Sequence, residues 1–323
     1  MKKAIVVRWG AYGDLIMASA CFPSIKKEGY HLTVSIRDYN YDMVKANPYV
    51  DAIDVYSGKT GADGEKRWEE MKKEYDLFIN LSGSIEDKLL CSEGKPEFKW
   101  SYDKRQRECN INYYDHTMSV AGYPEQKGVN PELHLPRKAI RDAEKMRKRL
   151  KGKHVVLWVL SGSSWHKTYP FAEYVANAFT KRHKDVVILT VGGGLCEALE
   201  WQNSSTINYS GIWSMSASMA MTMYADMVVG TETGLMVAAG CHDVPKVIML
   251  SHASEENLTK YWENVFPVHA NVACYPCHQL HYTMESCPLD AALKFPVCMS
   301  KLKASIVLEA MEKAYTIKKA KAA

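Results

Sequence analysis

Twice along the chain, short runs of apolar and β-branched residues alternate with segments of helical spacing. No other feature constrains the fold as much. In the first half the runs fall at 4–8, 31–36, 53–56 and 77–81. After a basic stretch the series restarts with HVVLWVL at 154–160, VVILTV at 186–191, DMVVG at 226–230 and KVIML at 246–250. Such alternation predicts parallel strands joined by crossover helices, because a parallel sheet needs helices to return the chain and to cover both faces. The 323 residues, 47% of them hydrophobic, suffice for two cores. The expectation is therefore an α/β protein with one parallel-sheet domain over 1–150 and a second over 151–300. A closing helix and basic tail take up 301–323.

The formal net charge of +4 does not by itself point to nucleic acid, and it leaves an anionic substrate open. No apolar run is long enough to span a membrane. The start, MKKAIVVRWG, lacks a signal-peptide pattern, so the expected compartment is the cytoplasm. The segment 137–153 carries nine basic residues against two acids, with Ala143, Met146 and Leu150 at helical spacing. It reads as a solvated helix between domains rather than a nucleic-acid patch. Methionines 215, 219, 221, 223 and 227 read as adaptable core filler.

Four strand-to-helix junctions carry chemistry. In AIVVRWGAYGDLIMASACF a buried-looking strand runs through Gly10 and Gly13 into Asp14, which either caps the following helix or faces a ligand. In VLSGSSWHKTYP the hydroxyls of Ser163 and Ser164 stand near Lys167, a set suited to a diphosphate; the alternative is an ordinary turn with a solvated lysine. LTVGGGLCEALE departs from the dinucleotide-binding glycine pattern. Its Glu197 would hold a ribose hydroxyl pair or complement a helix dipole. In VVGTETGLMVAAG, Glu232, Thr233, Gly234 and Leu235 open a helix of small residues whose first N–H groups favour an anion.

Taken in order, these motifs resemble glycosyltransferase family 9, the lipopolysaccharide heptosyltransferases and their relatives. The carriers are VVRWGAYGDLIMASACFPSIK, SGSSWHKTYP and GTETGLMVAAGCHDVPKVIML. The resemblance spans most of the chain. It implies a GT-B architecture, two Rossmann-like parallel-sheet domains facing a cleft, and transfer of a sugar from a nucleotide donor with inversion and no catalytic metal. It further implies Asp14 as general base beside Gly13, with Lys167, Ser163 and Ser164 on the donor diphosphate. Glu197 would hold the ribose, and Thr233, Gly234 and Leu235 the phosphates. Glu232 departs from the family pattern, which has Asp there, and places its carboxylate one methylene further out. The stretch 82–107, basic and aromatic, matches no family motif. The acceptor expected is a glycan or lipid-linked saccharide, with a modified nucleic-acid base as the alternative. A nucleotide-sugar epimerase and a non-catalytic nucleotide-sugar or DNA-binding module are the rival readings.

Five of the nine cysteines, Cys21, Cys91, Cys109, Cys196 and Cys241, read as buried small apolar residues. The other four, Cys274, Cys277, Cys287 and Cys298, open with a CxxC and lie within 25 residues. That spacing leads us to expect a structural zinc site, with free thiols or disulfides as alternatives and His278 and His281 as spare ligands.

Overall fold

The computed structural model describes residues 1–59, 61–283 and 286–322. Four parallel strands form the first sheet: β1 (Lys3–Val7), β2 (His31–Ile36), β3 (Ala52–Val55) and β4 (Leu77–Asn80), in the order β3-β2-β1-β4. The chain then leaves this sheet, making β5 (Cys91–Ser92) before the basic helix Arg137–Arg149. Six parallel strands form the second sheet: β6 (His154–Val159), β7 (Val186–Val191), β8 (Thr206–Asn208), β9 (Met227–Thr231), β10 (Lys246–Met249) and β11 (Val265–Val268). Their order is β11-β10-β9-β6-β7-β8.

In both sheets the winding reverses beside the first strand, between β1 and β4 and between β6 and β9. Loops leaving such a pair diverge and open a crevice at the carboxyl ends of the strands. The two halves turn these crevices toward each other.

The strands are as apolar as the sequence requires. Ala4 to Val7 of β1 are fully buried, and every residue of β6, β7, β9 and β10 is buried, as expected where helices cover both faces. Met219, Met221 and Met227 fill the core between layers, whereas Met223 is exposed. Helix Arg137–Arg149 buries only Ala139, Ala143 and Met146 and leaves most of its cations in solvent. The closing helix, Ala304–Ala322, packs Val307, Leu308, Met311 and Tyr315 into the second core. The basic tail expected at the end falls on 318–323, whose side chains lie outside those described.

Many contacts join the halves, and two of them flank the site. The helix Tyr12–Ala18 meets the helix Gly234–Gly240 so closely that a Cβ on Gly13 would lie 2.9 Å from the Gly234 Cα. Only glycines permit that approach. The second contact is a small sheet in which β5 pairs in parallel with β12 (Gln279–Leu280). Around it Arg105 Nε donates to the Cys277 carbonyl at 2.7 Å, and Gln106 Nε2 to that of Pro276 at 2.7 Å. The Tyr102 hydroxyl donates to the Tyr275 carbonyl at 3.0 Å. Among the described residues no helix is long and apolar enough to cross a membrane.

Candidate active site

The facing crevices enclose a cavity of about 660 Å³. Its walls come from the loops after β1, β4, β6, β7 and β9, so residues far apart in sequence share one space. Gly13, Asp14, Ser163, Lys167, Glu232, Thr233, Gly234 and Leu235 all line it. Ser164 does not. Its hydroxyl meets His166 Nδ1 at 2.7 Å beside a smaller neighbouring pocket. Glu197 is exposed just beyond the wall residues 192–196, its carboxylate turned toward Gly211.

Asp14 is both a capping residue and a cavity residue. Its Oδ2 accepts from the Ala11 amide at 2.7 Å, closing the first turn of the helix, and a Cβ on Gly10 would lie 2.7 Å from that oxygen. Its Oδ1 lies 3.3 Å from Arg8 Nη2. Arg8 is only 2% exposed and is shared: the same nitrogen donates to Glu86 Oε1 at 2.9 Å and Oε2 at 3.1 Å. Burial pushes the Asp14 carboxyl above its ordinary range. Arg8, the Ala11 amide and Lys167 pull it back, while Glu86 adds to the rise. Sequence reasoning passed over Arg8 and Glu86. Arg8 did carry a signal, since an arginine ending a run as apolar as AIVV must be paired if the strand is buried.

Lys167 belongs to a short turn, Trp165–Lys167, after β6. Its ammonium makes no ion pair among the described residues, leaving it available to the cavity it lines. On the adjacent wall Thr233 caps the helix 234–240, its Oγ1 accepting from the Met236 amide at 3.3 Å. The first N–H groups of that helix have no partner within it.

Glu232 lines the same cavity, yet its oxygens are already taken. Oε1 accepts from the Ser251 and Ala253 amides, each at 2.9 Å. Oε2 takes the Ser251 hydroxyl and lies 3.3 Å from His252 Nδ1. Burial alone would raise this carboxyl. Instead His252, with Lys167 and Ser251, holds it down at about 2. Through these bonds the side chain ties the loop after β10 to the loop after β9.

The basic and aromatic stretch 82–107 contributes Ile85, Glu86 and Leu90 to the cavity. Several of its cations are used within the protein: Arg105 donates to the carbonyls of Trp100 and Cys277, Lys95 pairs with Asp87, and Lys104 sits 4.0 Å over the Trp100 ring.

The expectation of a four-cysteine metal site meets a different geometry. All nine cysteines are free thiols. Among the described residues the sulfurs of Cys274, Cys277, Cys287 and Cys298 do not all lie within 4.8 Å of one another, although Cys277, Cys287 and Cys298 line one small pocket. The group that does converge is His166, His281 and Cys287, with ligand atoms within 4.8 Å of one another.

No protein-family model matches the chain, and no curated protein matches it in sequence. Solved structures do match along nearly its whole length. A glycosyltransferase family 9 structure from Veillonella parvula is 13% identical, covers 98% of each chain and has a TM-score of 0.69. The ADP-heptose LPS heptosyltransferase II of E. coli is 12% identical, with 99% of this chain and 100% of that one covered and a TM-score of 0.67. A dodecameric iron-containing heptosyltransferase, TibC, in complex with ADP-D-β-D-heptose, is 12% identical. It covers 98% of this chain and 78% of its own, with a TM-score of 0.63. The chain thus has the two-sheet GT-B fold of these glycosyltransferase structures, the fold its motifs led us to expect.

Proposed function

We propose that the chain transfers a sugar from a nucleoside diphosphate sugar to an acceptor hydroxyl, inverting the anomeric carbon. The observation that carries this reading is the placement of Asp14 and Lys167, from different halves, on the walls of one cavity. An acceptor hydroxyl is a weak nucleophile, and a carboxylate within hydrogen-bond reach takes its proton as it attacks. Asp14 fills that role, its raised proton affinity favouring the transfer. As the bond to the leaving diphosphate breaks, charge builds on the phosphate oxygens. Lys167, the Ser163 hydroxyl and the first N–H groups beyond Thr233 are placed to stabilise it before the reaction starts. Single attack from the face opposite the leaving group gives inversion.

On this reading the first half receives the acceptor and the second half the donor, and Glu197 at the cavity rim meets the ribose. The acceptor is a glycan or lipid-linked saccharide. With Arg105, Lys95 and Lys104 engaged within the protein, nothing favours a nucleic-acid acceptor. ADP-sugars are the first donors to test, because the TibC structure holds ADP-D-β-D-heptose. The test is a thermal-shift panel of ADP-, UDP- and GDP-sugars with their free nucleotides, run on the unmodified chain and on Lys167→Ala. One nucleotide series should stabilise the unmodified chain and lose most of its effect on the variant. Acceptor-dependent release of nucleoside diphosphate separates transfer from epimerisation. Equal shifts with and without Lys167 would overturn the donor site.

A further inference from the structure

Beside the main cavity lies a pocket of about 30 Å³, room for a single ion, walled by His166, His281, Cys277, Cys287 and Cys298. We propose that His166, His281 and Cys287 bind a zinc ion there, and that this ion fixes the turn that carries Lys167. Two imidazoles and a thiolate suit zinc, which takes nitrogen and sulfur in a tetrahedron. The site differs from an all-cysteine cluster in its ligands, and Cys274 has no place in the pocket.

The hydrogen bonds set each ring for metal binding. His281 Nδ1 lies 2.9 Å from the Ser286 hydroxyl. That hydroxyl has one proton to give, and its other neighbours, Glu93 Oε2 at 3.0 Å and the Thr283 carbonyl at 3.1 Å, can only accept. With its proton on Glu93 or Thr283, Ser286 accepts from His281 Nδ1–H, the tautomer that leaves Nε2 with a bare lone pair. A carboxylate acting through a hydroxyl on the far nitrogen of a histidine is the outer-shell support that metal ligands require. At His166 the Ser164 hydroxyl lies 2.7 Å from Nδ1 and accepts from the His166 amide at 3.3 Å. Nε2 is buried and makes no hydrogen bond of good geometry among the described residues, although the Thr283 carbonyl is close enough to the ring to favour its protonated form. The two side chains are only 9% and 8% exposed, and their rings stack with centroids 4.9 Å apart. An orphaned ring nitrogen at such depth is costly unless something fills its coordination. The fourth position falls to the wall thiols of Cys277 or Cys298, or to a water.

His166 and Lys167 are adjacent in one short turn, so an ion holding the first limits the motion of the second. It would also join the loop after β6 to the chain following β12. The metal site itself does not depend on the glycosyltransferase reading.

The test begins with the full chain purified anaerobically under reductant and reconstituted with zinc. Metal analysis should find about one tightly held zinc per chain, and X-ray absorption at the zinc edge should show a mixed nitrogen and sulfur shell. His281→Gln and Cys287→Ser should each lose the ion, whereas Cys274→Ser should keep it. Absence of stoichiometric zinc, an all-sulfur shell, or loss of the ion in Cys274→Ser equal to that in His281→Gln would overturn the proposal. The absorption measurement uses the unmodified chain, so it decides even where a variant fails to fold.

Discussion

The junction after β1 and the junction after β9 are built alike and behave oppositely. Each leads a buried strand through a short loop into a helix with a glycine in its first turn, each carries a carboxylate, and the two meet where Gly13 touches Gly234. Asp14 has one amide and part of a guanidinium that Glu86 also claims, so burial prevails and its proton affinity rises. Glu232 has two amides, a hydroxyl and the His252 ring, which together overcome burial. A carboxylate short of donors is ready to take a proton; one saturated with donors is a brace. Their surroundings, not their residue type or position in the motif, separate the two roles.

The comparison can be broken or sharpened by substitution. Asp14→Asn should cut transfer about 10²–10⁴-fold while donor affinity holds, as loss of a general base does. Full-rate transfer would remove Asp14 from the chemistry. Glu232→Ala should lower stability by roughly 3–5 kcal/mol, the usual cost of breaking a buried charge network on one side. The denaturation midpoint reads this directly. Gly13→Ala drives a Cβ against the Gly234 backbone and should cost about 1–3 kcal/mol, with a smaller effect if the halves can part. Glu86→Gln is the subtlest change. It removes a negative neighbour that raises Asp14, so the acid limb of the pH–rate profile should move to lower pH.

The same pair predicts opposite pH linkage. Glu232 ionises at about 2 in the fold. The stability it contributes is present above the ordinary glutamate value, about 4.3, and is lost as pH falls from there. Asp14 is raised, so its ionisation costs stability as pH rises through its unfolded value toward its folded one. Asp14→Asn should accordingly melt no lower than the unmodified chain near neutral pH.

Much of this fold is legible in the sequence because buried parallel strands announce themselves as runs such as AIVV and VVILTV. Four short strands carry no such signal: β5 and β12, two residues each, β8, three residues of mixed polarity, and β11, which contains Pro267, as an edge strand tolerates. The residues around Asp14 and Lys167 were legible through glycines, hydroxyls and a cation at strand ends. Partnerships over long separations were not. Nothing local joins Arg8 to Glu86, Glu232 to Ser251, or His166 to Cys287, and the CxxC spacing directed attention to sulfur first, with His281 only a spare ligand.

The most direct test is a carbon-13 NMR titration of the carboxyls of Asp14 and Glu232, assigned with Asp14→Asn and Glu232→Gln. The account predicts an Asp14 inflection above the ordinary aspartate value of about 3.9. Glu232 should stay ionised until the protein unfolds in acid. An Asp14 inflection at or below the ordinary value, or a Glu232 that titrates like an exposed glutamate, would contradict it.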